Sequence, residues 1–301
     1  MARRATLVLS GGGAKGAFQV GAEQVLREEG GFEWERILGV SVGALNGALL
    51  AQHEYDRLLK VWQTIRREDL YRKPWWPWLA VRLVILGKAG IYDNRPLRKT
   101  IQKHMAGRPF RVPLHVGRVS LVSGIYESVR SDRSTEPELL DAIWQSATMA
   151  VIWEPIGPRA LVDGSLRNVT PLGDALDLNP TELIVLNCSP DQPNAVPPPR
   201  DILDAARRSL MDITINEIMV DDVREFVRLN QLVKQAKRKG FTLEHADGTP
   251  YVDCTIAVLR PRVALGDNLD FSRKAIEERI ESGRTVARDY LASQARASLP
   301  R

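Results

Sequence analysis

Gly39-Val40-Ser41-Val42-Gly43 is a G-x-S-x-G pentapeptide with a different pattern on each side. Ile37–Val40 before it is a short apolar run of strand type, and Val42 to about Gln52 after it is an alanine-rich helical stretch. A sharp strand-to-helix turn of this kind crowds the residues two before and two after the serine, so Gly39 and Gly43 have to be glycine. Such a turn exposes the serine hydroxyl at a helix N-terminus. The pentapeptide alone is common; the strand and helix around it give it weight. Ser41 is the expected nucleophile of an acyl hydrolase.

Upstream, Ser10-Gly11-Gly12-Gly13-Ala14-Lys15-Gly16 joins a strand at Thr6–Ser10 to a helix from about Ala17 to Glu29. Glycines 11, 13 and 16 satisfy the G-x-G-x-x-G spacing of a dinucleotide-binding oxidoreductase. That alternative requires an acid near the end of the second strand to hold the ribose. Glu33 and Glu35 precede that strand instead, and its end is occupied by the Ser41 pentapeptide. A Walker phosphate loop is excluded because Ala17-Phe18 follows Gly16. Consecutive glycines at a helix start have another use, which is to turn backbone N–H groups toward one developing negative charge. Gly11, Gly12 and Gly13 are the expected oxyanion site, with the N–H groups of Gly12 and Gly13 as donors and Gly11 nearby. Lys15 is expected to orient the loop or attract a phosphate head group.

A serine needs a base, and two sources are open. His53, His104, His115 and His245 are the histidines, and only His245 comes late enough for the order nucleophile, acid, histidine of an α/β-hydrolase triad. Asp163-Gly164 follows the apolar run Ala160-Leu161-Val162, which places a carboxylate at a strand end beside a flexible glycine. A free aspartate, with a pKa of about 3.9, is a weak base, so direct Ser–Asp chemistry needs burial to raise it.

Strand-like and helical patterns alternate along the 301 residues, which predicts an α/β protein with one domain over 1–301. Further strands are expected at Val116–Ser123, Tyr126–Arg130, Leu183–Asn187 and Cys254–Leu259. Helices are expected at Asp56–Arg67, Glu136–Thr148, Asp201–Lys239 and Phe271–Ser298. Pro74-Trp75-Trp76-Pro77 interrupts this pattern, and residues 70–90 read as an inserted cap or lid, with a helical part over 200–301.

The net charge of +5 is unevenly spread. Arg57 to Arg118 holds fifteen Lys or Arg against three acids, a balance of +12 that leaves −7 for the remainder. Four of the seven tryptophans, Trp62, Trp75, Trp76 and Trp78, share that stretch. A cationic, tryptophan-rich segment suits peripheral contact with an anionic membrane, and a solvated basic face with some tryptophans in the core is the alternative. No apolar run reaches the roughly 18 residues of a membrane span, and no signal peptide pattern is seen at the N-terminus. Cys188 and Cys254 sit in apolar stretches and read as buried free thiols of a cytoplasmic protein.

Taken together, the glycine loop, Gly39–Gly43 and Asp163-Gly164 resemble, in order and spacing, the patatin-like phospholipase family. Tyr92–Leu97, Ala142–Pro155 with Ser146, Asn168 and Pro171 add similarity over roughly residues 5–190. The resemblance implies a three-layer α/β/α fold with a mostly parallel sheet and a core over about 5–190. It also implies a Ser41–Asp163 dyad without a catalytic histidine, a lipid or fatty acyl ester substrate, and neither metal nor cofactor; no nucleic-acid partner is expected. The sequence departs from the family pattern at Ser10, where aspartate is common, and at Ser165, where glycine or alanine is commoner.

Overall fold

The computed structural model describes residues 3–72, 90–190, 198–199, 205, 208–244 and 248–297. Residues 73–89, most of the expected lid with Trp75, Trp76 and Trp78, lie outside the described residues, as does His245.

The described elements in chain order are β1 (Arg3–Leu9), α1 (Ala17–Glu28), β2 (Phe32–Val40), α2 (Val42–Ala51), α3 (Tyr55–Thr64), β3 (Gly90–Tyr92), α4 (Arg95–Met105), β4 (Leu114–Ser120) and β5 (Tyr126–Arg130). They continue with α5 (Glu136–Ser146), β6 (Val151–Trp153), β7 (Leu161–Asp163), α6 (Leu172–Leu176), β8 (Glu182–Leu186), α7 (Ile215–Arg238), β9 (Thr255–Leu259) and α8 (Arg273–Ala297). The main sheet runs β5-β4-β2-β1-β8-β9, with β7 also on β4. Neighbours from β4 to β9 are parallel, while β5 and β7 join β4 antiparallel.

Alternation along these strands divides the core into two layers. Leu7, Leu9, Ile37, Leu114, Ile184 and Leu186 face a large cluster built with α1, α2, α5 and α8. Val8, Leu38, Leu183 and Val185 face a smaller one built with α6 and α7. The result is the three-layer α/β/α arrangement expected from the sequence. Crossovers between parallel strands put the loops after β1 and β2 at one edge of the sheet, where open α/β sheets place their sites.

Two features differ from the sequence-based expectation. β2 starts at Phe32 and not at Ile37, because Phe32 and Trp34 are buried while Glu33 is exposed. That half-buried alternation lacks the continuous apolar run that marks the rest of the strand. β3 and β6 form a separate two-stranded parallel sheet through Gly90↔Val151 and Tyr92↔Trp153, too short to show a period. Both cysteines are buried and free.

Candidate active site

Ser41 lies between β2 and α2 with φ 57 and ψ −126, a backbone region that side-chain-bearing residues rarely occupy and that costs about 1–3 kcal/mol. Its surroundings enforce it. A Cβ on Gly39 would meet the backbone of Gly43 and Ala44, and one on Gly43 would meet the carbonyls of Leu9 and Ser10. The Ser41 N–H donates to Ser146 Oγ at 2.9 Å, so the end of α5 fixes the turn from the side.

The loop after β1 lies against this turn. A Cβ on Gly11 would come within 3.4 Å of Ser41 Cβ and would collide with Ser165 Oγ. Gly12 (φ 156) and Gly13 (φ 56) take positive φ, and their N–H groups find no acceptor among the described residues. The Gly11 N–H is different: it donates to the Val169 carbonyl at 3.1 Å. The donors available to an anion therefore narrow to Gly12 and Gly13, and Gly11 contributes closeness to Ser41. Ser10 accepts the Cys188 N–H at 3.0 Å and donates its hydroxyl proton to the Gly11 carbonyl at 2.9 Å, which ties the loop to the end of β8.

Asp163 ends β7 and is 2 % exposed. Its N–H donates to the Thr148 carbonyl at 2.8 Å, and its Oδ1 accepts the Ser165 N–H at 2.8 Å. Oδ2 is buried with no hydrogen-bond partner. Burial raises the carboxyl from 3.8 to about 6, against the pull of the neighbouring Ser41 hydroxyl and then of Ser165. Gly164 is required because a Cβ there would lie 2.6 Å from the Gly117 carbonyl oxygen of β4. Ser41, Asp163, Gly11, Gly12 and Lys15 all line one cavity.

A patatin-like phospholipase model matches residues 7–176, more than half of the chain. The chain belongs to the patatin-like phospholipase family. Family membership implies lipid acyl hydrolase activity. No curated protein matches the chain. Among solved structures it is similar to VipD from Legionella pneumophila, at 13% identity and a TM-score of 0.41, covering 97% of this chain and 67% of that one. The dinucleotide alternative gains nothing from the geometry, since Glu33 and Glu35 sit in the early half of β2, the end remote from the glycine loop. Among the described residues, no group of three or more His, Cys, Asp or Glu is placed to hold a metal ion.

Two cavities of this patatin-like site meet at Ser41. One, of about 100 Å³, lies between apolar walls that include Leu45, Leu49, Leu58, Trp62, Ile101 and Phe271. The other is smaller and more polar, with Lys15, Ser165, Ser189 and Asn216 among its walls. Trp62 is buried and donates to Asn46 Oδ1 at 2.8 Å, so this member of the basic, tryptophan-rich stretch belongs to the cavity wall. Asn46 donates in turn to the Gly16 carbonyl and to Gln19, and Gln19 to the Ser10 carbonyl, a buried network under both loops. His53 follows α2 and is exposed, and His115 is buried in β4 and held neutral, at about 4. His104 lines the apolar cavity with its Nδ1 buried and unpartnered, and burial followed by nearby Lys103 lowers its pKa. Sequence reasoning missed the bracket formed by Thr148 and Asn94. Thr148 accepts the Asp163 N–H, and Asn94 donates to its hydroxyl at 2.8 Å. Also missed was Asn268, which lines both cavities.

Proposed function

We propose that the chain cleaves fatty acyl esters of lipids through a Ser41–Asp163 dyad and an acyl-enzyme. The observation that carries this is the pair itself: a strained, buried serine shares a cavity with a buried carboxylate whose Oδ2 has no hydrogen-bond partner. With its pKa near 6, Asp163 is a stronger base than a free aspartate and still ionised at neutral pH. Asp163 takes the Ser41 proton as Oγ attacks the ester carbonyl. The Gly12 and Gly13 N–H groups receive the oxyanion, Asp163-H protonates the leaving alcohol, and water then releases the acid from Ser41.

The apolar cavity suits the acyl chain and the polar one the alcohol with its head group, where Lys15 brings positive charge. Phospholipids, lysophospholipids and simple esters fit this division. Peripheral contact with an anionic membrane through 57–118 is the companion proposal, supported by its balance of +12. Activity on anionic vesicles that rises with anionic lipid and falls with salt is the expected outcome, and salt-independent turnover refutes it. The dyad is tested by assaying a panel of esters and phospholipids against wild type, Ser41→Ala, Asp163→Asn and each His→Ala variant. The first two changes abolish turnover, and the histidine variants keep it. An active Asp163→Asn beside an inactive His245→Ala would replace the dyad with a triad.

A further inference from the structure

Arg279 lies on α8, about a hundred residues beyond the family match, and is 3 % exposed. Its guanidinium is satisfied by main-chain carbonyls. Nε donates to Leu265 at 2.9 Å, Nη2 to Asp267 at 3.0 Å, and Nη1 to both Asp270 at 2.6 Å and Ala14 at 3.2 Å. Burial pulls its pKa down, with Asp270 and Asp267 opposing. A buried cation held mainly by neutral acceptors is an expensive way to stabilise a fold, since an apolar side chain of similar volume avoids the desolvation. Its acceptors show what the cation joins: the 265–270 loop on one side and the glycine loop on the other.

The Ala14 peptide groups lie at that junction. The Ala14 N–H donates to the Asn268 carbonyl at 2.8 Å, and the Ala14 carbonyl accepts from Arg279. The same Asn268 carbonyl oxygen lies 2.5 Å from where a Cβ on Gly13 would stand. Gly13, with φ 56, is thus pressed into its turn from behind, and the peptide after it is bonded at its N–H and followed by a bonded carbonyl. α8 packs closely on α1 beside this contact, because Gly21 of α1 and Gly283 of α8 let the two backbones meet without side chains between them.

We infer that Arg279 is a positioning residue for the oxyanion site: through Ala14 and the 265–270 loop it holds the Gly12 and Gly13 N–H groups toward the carbonyl attacked by Ser41. This rests on the Ser41 reading above. Interactions used only at the transition state change kcat and leave KM in place. Lysine keeps the charge but lacks the planar fork that reaches several carbonyls at once.

The test uses the full chain, a soluble p-nitrophenyl ester and a trifluoromethyl ketone, whose serine adduct carries an oxyanion. Arg279→Lys lowers kcat at least about ten-fold and Arg279→Met about a hundred-fold, the scale of a misplaced or missing donor, while KM moves less than about three-fold. The inhibitor constant rises in step with the fall in kcat/KM. If Arg279→Met does not fold, Arg279→Lys decides alone, and unchanged kcat or unchanged ketone affinity in that variant overturns the assignment. Arg288→Ala, on the same helix as Arg279, breaks an exposed ion pair with Glu29 at the end of α1 and keeps full activity. An equal loss there would show that any loosening of α8 costs turnover, which also overturns it. Ser41→Ala separates the two proposals: if it retains activity, the Ser41 reading fails first, whatever Arg279 does.

Discussion

The segment matched by the family model and the segment after it build the same site in different ways. Residues 7–176 hold the proposed reacting groups, Ser41 and Asp163, on short turns whose glycines leave little choice of residue. The later segment supplies helix α8 with Arg279, and Asn268 before it; the Asn268 carbonyl and the Arg279 guanidinium reach the backbone of the glycine loop from behind. On the proposed mechanism, chemistry sits in the first region, and the rigidity that it needs comes partly from the second. A turn can be strained and exact only if something outside it removes its alternatives.

The largest effect should come from the first region. Ser41→Ala and Asp163→Asn are each expected to lower kcat/KM by roughly 10⁴-fold or more, as loss of a nucleophile or its base does in acyl transfer. Loss from only one of the two, measured on a soluble ester, would break the dyad apart. Gly13→Ala comes next and tests the junction between the regions. A methyl there meets the Asn268 carbonyl oxygen at 2.5 Å and is strained at φ 56. A fall in kcat of about 10²–10³-fold with KM nearly constant is expected. An equal rise in KM would mean that the loop binds the ground state as well.

The first region was legible because its chemistry needs rare local geometry. A serine at φ 57 flanked by Gly39 and Gly43 can be written in few ways, and an Asp-Gly pair packed on Gly117 likewise. The second region left no such mark. Arg279 occurs in a helix crowded with arginines, and nothing in its neighbours distinguishes a buried guanidinium from Arg288 in solvent. Asn268 acts mainly through its main chain, which any residue type has. The partner of the Gly11 N–H was hidden for a related reason: glycine spacing shows where the chain turns, while that N–H donates to Val169, a long-range partner.

Gly283→Ala probes the second region by itself. A Cβ there would lie 2.8 Å from the Ala22 backbone nitrogen, so α8 must move off α1. Overpacking of this kind costs about 1–3 kcal/mol, read as a lowered midpoint of thermal unfolding. If the regions are coupled as the Arg279 contacts imply, kcat at a temperature well below that midpoint falls as well. A destabilised enzyme with full kcat would confine the coupling to folding.

The last effect, again on stability, concerns Asp163 and runs opposite to its effect on rate. Its carboxyl is raised by burial from 3.8 to about 6, so between those values the folded chain binds more protons than the unfolded one. Stability from this group is therefore full below about pH 4 and is lost as pH rises through about 6. Above that, the buried charge costs on the order of 2–3 kcal/mol. Asp163→Asn carries no charge and escapes this cost, so it should unfold at a higher temperature than wild type at pH 8 and at nearly the same temperature at pH 4. Wild-type kcat/KM should do the reverse, dropping about ten-fold per pH unit below about 6 as the base is protonated. On the proposed dyad the two curves share one titration, since the charge that weakens the fold is the charge proposed to accept the Ser41 proton. A stability difference between Asp163→Asn and wild type that ignores pH would separate them and remove Asp163 as the buried base.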